Sequence, residues 1–428
     1  MLRSMFTAIS SLNLHQVYMD TIANNLANVN TPGFKASKTS FEDQFSQTMA
    51  SGAAPTDLRG GLNPTQLGLG VRLGAISRAF TQGSLISTGR NLDLAVQGDG
   101  FFVYGDPNEA SSKLYSRDGA LEMDSEGYLS NIAGGLRILG WMADATTGVI
   151  NSGTAATFIQ IPLDATKARA STEGILSGNL DARADIASAG PPVVVAETYT
   201  STIGVYDSLG ALRSVNIEYE RTAAGTWTYT ITDGAAVIGS GGLAFDGNGQ
   251  LTGAGTPAEI LAGNKVMNNV TIPGLNGAGN IVVDLDVSNF SQFSAISNVA
   301  LSSQNGLAAG SVQNFIVDAN NGDIYAVYGN GLQDRFGRLA LATFVNPEGL
   351  TQLGKNMYVN SLNSGEANIS WPGNGGKGVL AVGYQEGSNV DLGREFTGMI
   401  LAQRGFQASS RVITTSDEML QELVNIKR

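Results

Sequence analysis

Two short loops and one imidazole carry the residue types that could do chemistry in this chain. Gly373-Asn374-Gly375-Gly376-Lys377-Gly378 has the glycines and the lysine of a loop that cradles phosphate with its backbone N–H groups. That motif needs glycine where Trp371 stands and serine or threonine where Gly378 stands, so the stretch reads as a flexible turn. Asp246-Gly247-Asn248-Gly249 offers oxygens in the manner of a calcium loop, but the far acid that would bind through two oxygens is missing, and it reads as a hairpin turn. His15 is the single histidine and there is no cysteine. Together these remove a Ser-His-Asp triad, a Cys-His pair, a histidine metal cluster, thiolate sites and disulfides. His15 lies inside an apolar helical pattern and reads as a packing or solvent-facing residue. The 37 acidic residues could supply a carboxylate pair for glycoside hydrolysis, yet no spacing brings two of them together. No catalytic residue, metal ligand or cofactor is expected, and the chain reads as a non-enzyme.

The patterns that dominate the chain belong to its architecture. At one end Met5, Leu12, Met19 and Leu26 recur every seven residues, with Leu2, Ile9 and Ala23 three residues earlier, which is a coiled-coil seam. At the other end Leu392, Met399, Phe406, Ile413 and Leu420 also fall seven apart, and Ala402, Ser409, Ser416 and Leu423 form a smaller column three residues later. A single amphipathic helix gains its stability from packing, so these ends need each other or further copies of the chain.

Composition bounds what lies between them. A chain of 428 residues with 42% hydrophobic content can bury large cores and suggests two to three domains. Glycine is abundant at 55 residues and charged residues make up only 14%, which implies many turns and strands. The net charge is -12, but residues 1–30 hold one base and one acid and residues 390–428 hold five of each, so the middle carries it all. No basic stripe exists for a phosphate backbone, which argues against nucleic acid. No run approaches the roughly 18 apolar residues of a membrane span, so no membrane insertion is expected. The opening Met1-Leu2-Arg3-Ser4-Met5-Phe6 lacks the uninterrupted apolar core and cleavage site of a signal peptide. These signals alone point to a soluble, cytoplasmic chain.

Along the chain, Asn30-Thr31-Pro32-Gly33 stops the first helix near Asn28. Residues 31–72 read as a connector with little core, Phe41 and Phe45 falling at helical spacing. Strand alternation starts at Leu92, Leu94 and Val96, and Asp99-Gly100 leads into Phe101-Phe102-Val103. An Ala, Ser, Thr and Gly-rich passage closes at Pro191-Pro192. Beyond it Val215, Ile217 and Tyr219 alternate, Thr222 to Gly225 turn, and Trp227, Tyr229 and Ile231 alternate back. The expected fold is mainly β with an α-helical coiled-coil terminal domain, in a nested multidomain order. Residues 1–30 plus 390–428 form the paired helices, 73–145 plus 297–389 a composite β-domain, and 146–296 an inserted β-domain at the tip.

The ends also carry a resemblance. Ala23 followed by Asn24, Asn25, Leu26, Ala27, Asn28, Val29, Asn30, Thr31, Pro32, Gly33, Phe34 and Lys35 resembles the signature of the bacterial flagellar rod and hook axial protein family. Ser388-Asn389-Val390-Asp391-Leu392, running through Glu395-Phe396, Ala402-Gln403-Arg404 and Gln407-Ala408 to Asp417-Glu418-Met419-Leu420, is similar to that family's closing helix. Asp93 to Phe102 resembles its first β-domain element. The interior decides the branch. Val205-Tyr206-Asp207-Ser208-Leu209-Gly210, Phe245 to Gly249, Asn305 to Gly310 and Asn346-Pro347-Glu348-Gly349-Leu350 resemble the hook branch.

The resemblance implies a structural subunit of the flagellar hook that self-assembles into a curved flexible tube, a universal joint passing torque from the basal-body rod to the filament in motility. It implies an extracellular location, reached through the flagellar type III export apparatus without a cleaved signal. The partners it implies are further copies in a helical homopolymer, the distal rod protein, the hook cap and the hook-filament junction proteins. The lysine-cysteine cross-link of some members has no cysteine here to form with. The self-assembly seam expected on this reading is Met5, Ile9, Leu12, Met19 and Leu26 against Leu392, Met399, Phe406, Ile413 and Leu420. A distal rod protein of the same family and a secreted β-rich adhesin are the rival readings, the first predicting a straight rigid assembly and the second a stable monomer with a saturable ligand.

Overall fold

Both terminal apolar repeats are helices in the computed structural model, Leu2–Ala27 and Leu392–Ile426. The structure describes residues 2–55, 59–107, 109–144, 147–188 and 194–426, so the expected passage at Pro191-Pro192 lies outside the described residues. The first helix closes where the Asn28 N–H donates to Asn24 O at 3.2 Å, and Pro32 and Gly33 then turn the chain. Gly33 sits at φ +70°, and a Cβ there would stand 2.8 Å from the backbone N of Asp118, so both its conformation and its surroundings demand glycine. The second helix is started by Asp391, whose carboxylate accepts from the N–H groups of Gly393 at 2.9 Å and Arg394 at 3.2 Å.

The chain forms two units. The first comprises Met1–Pro162, Phe315–Tyr325 and Asp334–Arg428, and the second Leu163–Asn314 and Ala326–Gln333. Helices, connector and composite β-region therefore gather into one unit, and the inserted unit starts and ends later than the expected 146–296. In the first unit, strand Phe101–Asp106 pairs antiparallel with Glu109–Ser116, Arg137–Met142 and Leu341–Thr343. Its side chains alternate between two cores. Phe102 and Tyr104 join Leu94, Leu121, Ile138 and Leu339 on one face, while Phe101 and Val103 join Tyr115, Trp141 and Tyr358 on the other. Burial on both faces explains why this strand reads as a continuous apolar run. Val379–Val382 pairs with Leu94–Gln97, so chain segments far apart in sequence close one domain.

The expected connector is instead a long antiparallel ribbon. Ser37–Asp43 pairs with Val71–Arg78, Ser46–Ala50 with Thr65–Gly68, and Ala53 bridges Leu62. Phe41 lies opposite Leu73 in this ribbon, and its helical spacing from Phe45 has no helical counterpart. Cross-strand pairs such as Phe41 with Leu73 and the Glu42–Arg72 ion pair hold the ribbon, whose base alone packs on the first helix, with Phe41 against Tyr18.

The second unit is a β-sandwich with one core. Strands Thr198–Tyr206, Leu212–Ala223, Thr226–Asp233, Ala236–Phe245 and Leu251–Gly255 form a five-stranded antiparallel sheet in chain order. A four-stranded sheet of Val266–Ile272, Ile281–Phe293, Glu173–Asp181 and Ala300–Gln304 supplies the other layer. Val215, Ile217, Tyr219, Trp227 and Ile231 meet Val283, Leu285 and Phe290 in a single cluster. The alternation read in the hairpin around Thr222 to Gly225 is the inward face of this sandwich.

Candidate functional site

The two terminal helices and the ribbon at their side pack into one module. The helices run antiparallel, and along their line of closest approach small residues of the second helix receive larger ones of the first. Gly398, Ala402 and Ser416 are the buried positions of the second helix, and Ala8, Leu14, Ile22 and Asn25 those of the first. Ser11 Oγ meets Ser409 Oγ at 3.0 Å. A Cβ on Gly405 would lie 2.4 Å from His15 Nε2, and one on Gly398 would lie 3.0 Å from the Tyr18 hydroxyl and 3.1 Å from Ile22. His15 is thus a packing residue, held edge-on to Phe41 of the ribbon at 6.1 Å.

The large residues expected to interlock lie beside that line. Met5, Leu12, Met19, Leu26, Met399, Phe406, Ile413 and Leu420 are half-buried, while Ile9 and Leu392 are exposed. The column of Ala402, Ser409 and Ser416 is the one that packs, because small side chains let the two backbones come close. Around the module Phe6, Phe396, Ile400, Leu401 and Met419 remain at least half exposed. A groove of about 780 Å³ between the helices and the ribbon is lined by Phe6, Phe45, Leu67, Leu69, Ala408 and Val412, with Arg3 as its one charged residue.

Below the helices, the signature segment is locked to the closing segment. Asn25 donates to Ser37 O at 2.8 Å and Glu395 Oε2 at 3.2 Å and accepts from Ser37 N–H at 2.9 Å. Asn389 accepts from Ala36 N–H at 2.7 Å and donates to Ala79 O at 2.7 Å. Of the signature, Asn25, Gly33 and Phe34 are buried, Leu26, Asn28, Thr31 and Pro32 half-buried, and Asn24, Ala27 and Asn30 exposed. Thr31 Oγ1 donates to Asn28 Oδ1 at 3.2 Å, which secures the turn.

The centre of the lock is Glu386. Its side chain is fully buried, with the equally buried Lys35 Nζ at 2.6 Å and Arg117 Nη1 at 3.5 Å. It also accepts from Gly83 N–H at 2.9 Å, while its backbone carbonyl accepts from Gly33 N–H at 2.7 Å. Burial pushes the Lys35 ammonium and the Arg117 guanidinium below their ordinary pKa values, against the pull of Glu386. Arg117 also lies 5.2 Å over the Phe101 ring. Glu386 and Arg117 escaped the sequence reading, which reached only Lys35. Arg117 follows strand Glu109–Ser116 between Ser116 and Asp118, and Glu386 ends the short strand Tyr384–Glu386, so no local pattern marked either.

The loops that suggested chemistry are structural. Asp246 Oδ1 accepts from Asn248 N–H at 2.9 Å and Gln250 N–H at 2.8 Å, a side chain closing its own turn. Asp207 does the same with Leu209 and Ala211. Lys377 is buried, with Asn368 Oδ1 at 3.4 Å, and Gly378 N–H donates to Asp99 O. Among the described residues, no three His, Cys, Asp or Glu side chains converge as metal ligands, and no helix is long and apolar enough to cross a membrane.

Comparison with known proteins assigns the pieces in order. Four family models match: flagella basal body rod protein at residues 5–35, flagellar hook protein FlgE/F/G D1 domain at 95–178, flagellar basal body protein FlaE D2 domain at 179–307, and flagellar basal body rod FlgEFG protein C-terminal at 381–426. The flagellar hook protein FlgE of Borreliella burgdorferi is 36% identical, with all of both chains covered. That of Salmonella typhimurium is 32% identical over 98% of this chain and 99% of its own. The flagellar basal-body rod protein FlgG of Bacillus subtilis is 29% identical over all of both chains.

Proposed function

The chain belongs to the flagellar hook protein family and is a structural subunit of the hook, and on that premise we propose that its terminal-helix module is the part that polymerises. The subunits build a curved, flexible tube that passes torque from the basal body to the filament. The observation that carries this reading is that the second helix pairs through its small residues, which leaves its Phe396, Ile400, Leu401 and Met419 exposed where other copies can cover them. Met5, Ile9, Leu12, Met19 and Leu26, with Leu392, Met399, Phe406, Ile413 and Leu420, then serve as flanks that complete their burial between copies. Contacts of that kind are heterologous and generate an open helical polymer.

As part of the flagellum the chain works outside the cell body. Export through the flagellar apparatus without a cleaved signal, and docking to the distal rod protein, cap and junction proteins, complete the proposal. A distal rod subunit is the second reading, favoured by the full-length match to a rod protein. Electron microscopy separates them, since a hook subunit forms curved tubes and a rod subunit straight ones. The same experiment tests the module. Leu401→Asp, at a position 61% exposed, should leave both units folded and abolish tubes. Normal tubes from this variant would overturn the assignment of the polymerising surface.

A further inference from the structure

Six Asn-Gly dipeptides occur in the sequence, at Asn248, Asn276, Asn305, Asn321, Asn330 and Asn374. Before glycine, no Cβ hinders attack of the following backbone nitrogen on the asparagine carboxamide. The fold treats the six very differently. In four of them that nitrogen is tied down: Gly249 N–H donates to Asp246 O at 3.0 Å, Gly322 N–H to Asp318 O at 2.9 Å, Gly331 N–H to Tyr328 O at 2.9 Å, and Gly306 N–H to Gln304 Oε1 at 2.7 Å. At the fifth, the Asn374 amide donates to Ser370 Oγ at 2.9 Å and the residue is half-buried.

Asn276 is the exception. It lies in the loop between Val266–Ile272 and Ile281–Phe293, exposed together with Gly277, at φ +54°. Among the described residues neither its side chain nor the Gly277 N–H has a hydrogen-bond partner. A Cβ on Gly277 would meet nothing within 4 Å, so the dipeptide has room to rotate. The loop is clamped on either side of it, by Gly274 N–H to Asn280 Oδ1 at 3.0 Å and Ala278 N–H to Leu275 O at 3.0 Å. Those clamps keep the strands in register while the tip turns.

We propose that Asn276 is a site of spontaneous deamidation in the folded protein, with water as the only co-reactant. The Gly277 nitrogen gives up its proton and bonds to Asn276 Cγ, ammonia leaves from that carbon, and a succinimide ring remains. Water then opens the ring at either carbonyl, giving aspartate or isoaspartate. Each event adds one negative charge to an exposed loop of a chain that already carries -12, and the isoaspartate product inserts a methylene into the backbone between two paired strands. The site therefore records the age of each subunit.

The test is incubation of the folded full-length chain at mildly alkaline pH, with peptide mapping by tandem mass spectrometry and fragmentation that separates aspartate from isoaspartate. Asn276 is expected to convert several-fold faster than each of the other five, and the six are expected to converge on similar rates in denaturant. Asn276→Gln should remove the early product and leave the far-UV and near-UV spectra of the chain unchanged. Equal rates in the folded chain, or faster loss at Asn374, would overturn the proposal. The readout does not depend on tube formation, so it fails or stands apart from the assembly reading.

Discussion

Glu386 shows how much of this protein depends on single charges. Its partners Lys35 and Arg117 come from segments far away in sequence, and all three side chains are withdrawn from water. Removing one member of a buried charge cluster leaves the others unpaired, so Glu386→Ala should cost about 3–5 kcal/mol in denaturant unfolding of the first unit. A loss under about 1 kcal/mol, the scale of an exposed pair, would contradict the buried geometry. Asp246 gives the opposite kind of prediction. Its carboxyl is held below the usual range, first by the hydrogen bond from Gln250 N–H and then by that from Asn248. A lowered folded pKa stabilises the fold above the ordinary carboxylate value of about 3.9 and is lost as pH falls through the folded one. The thermal stability of the second unit should therefore fall on acidification below about pH 4, and less steeply in Asp246→Asn. Parallel curves for the two proteins would remove Asp246 from the account. At this scale the sequence was half legible: Lys35 follows a recognisable signature, whereas Glu386 lies 351 positions on and nothing local announces it.

Elements were legible in proportion to how one-sided their burial is. The hairpin of Val215, Ile217 and Tyr219 with Trp227, Tyr229 and Ile231 faces one core, so its alternation stood in plain view. The strand at Phe101 is covered on both faces and showed only as an apolar run. The ribbon from Ser37 to Arg78 meets the first helix only near its base and is exposed beyond it, which left too short a period to read. In the helices the heptads were visible, but the eye follows large side chains and the contact runs through Gly398, Ala402 and Gly405. The ribbon tip offers a direct test. All residues of Ser46–Ala50 and Thr65–Gly68 are exposed, so replacing residues 46–68 with a short turn should leave unfolding of both units unchanged. Tube formation should drop, because Met49, Leu62 and Leu67 would no longer be available to other copies. Unaltered tubes would make the ribbon dispensable for assembly.

For the molecule as a whole, the charge distribution sets how copies approach one another. Helical ends of balanced charge must come together while the acidic remainder of each subunit repels its neighbours. Salt shortens the reach of that repulsion to about 10 Å at 0.1 M, so assembly followed by light scattering should accelerate as ionic strength rises from low values. Slower growth with added salt would point to attraction between opposite charges as the driving contact. The antiparallel pairing of Leu2–Ala27 with Leu392–Ile426 has a further consequence, and it concerns time. A chain that emerges from a narrow passage with its first residues leading presents the opening helix long before its partner. That helix must wait, half-made, until nearly the whole polypeptide has come through. On the proposed reading that this helix pair is the polymerising module, its pairing is a completion check: a subunit truncated before Leu392 has no partner for its first helix and should fail to join the others.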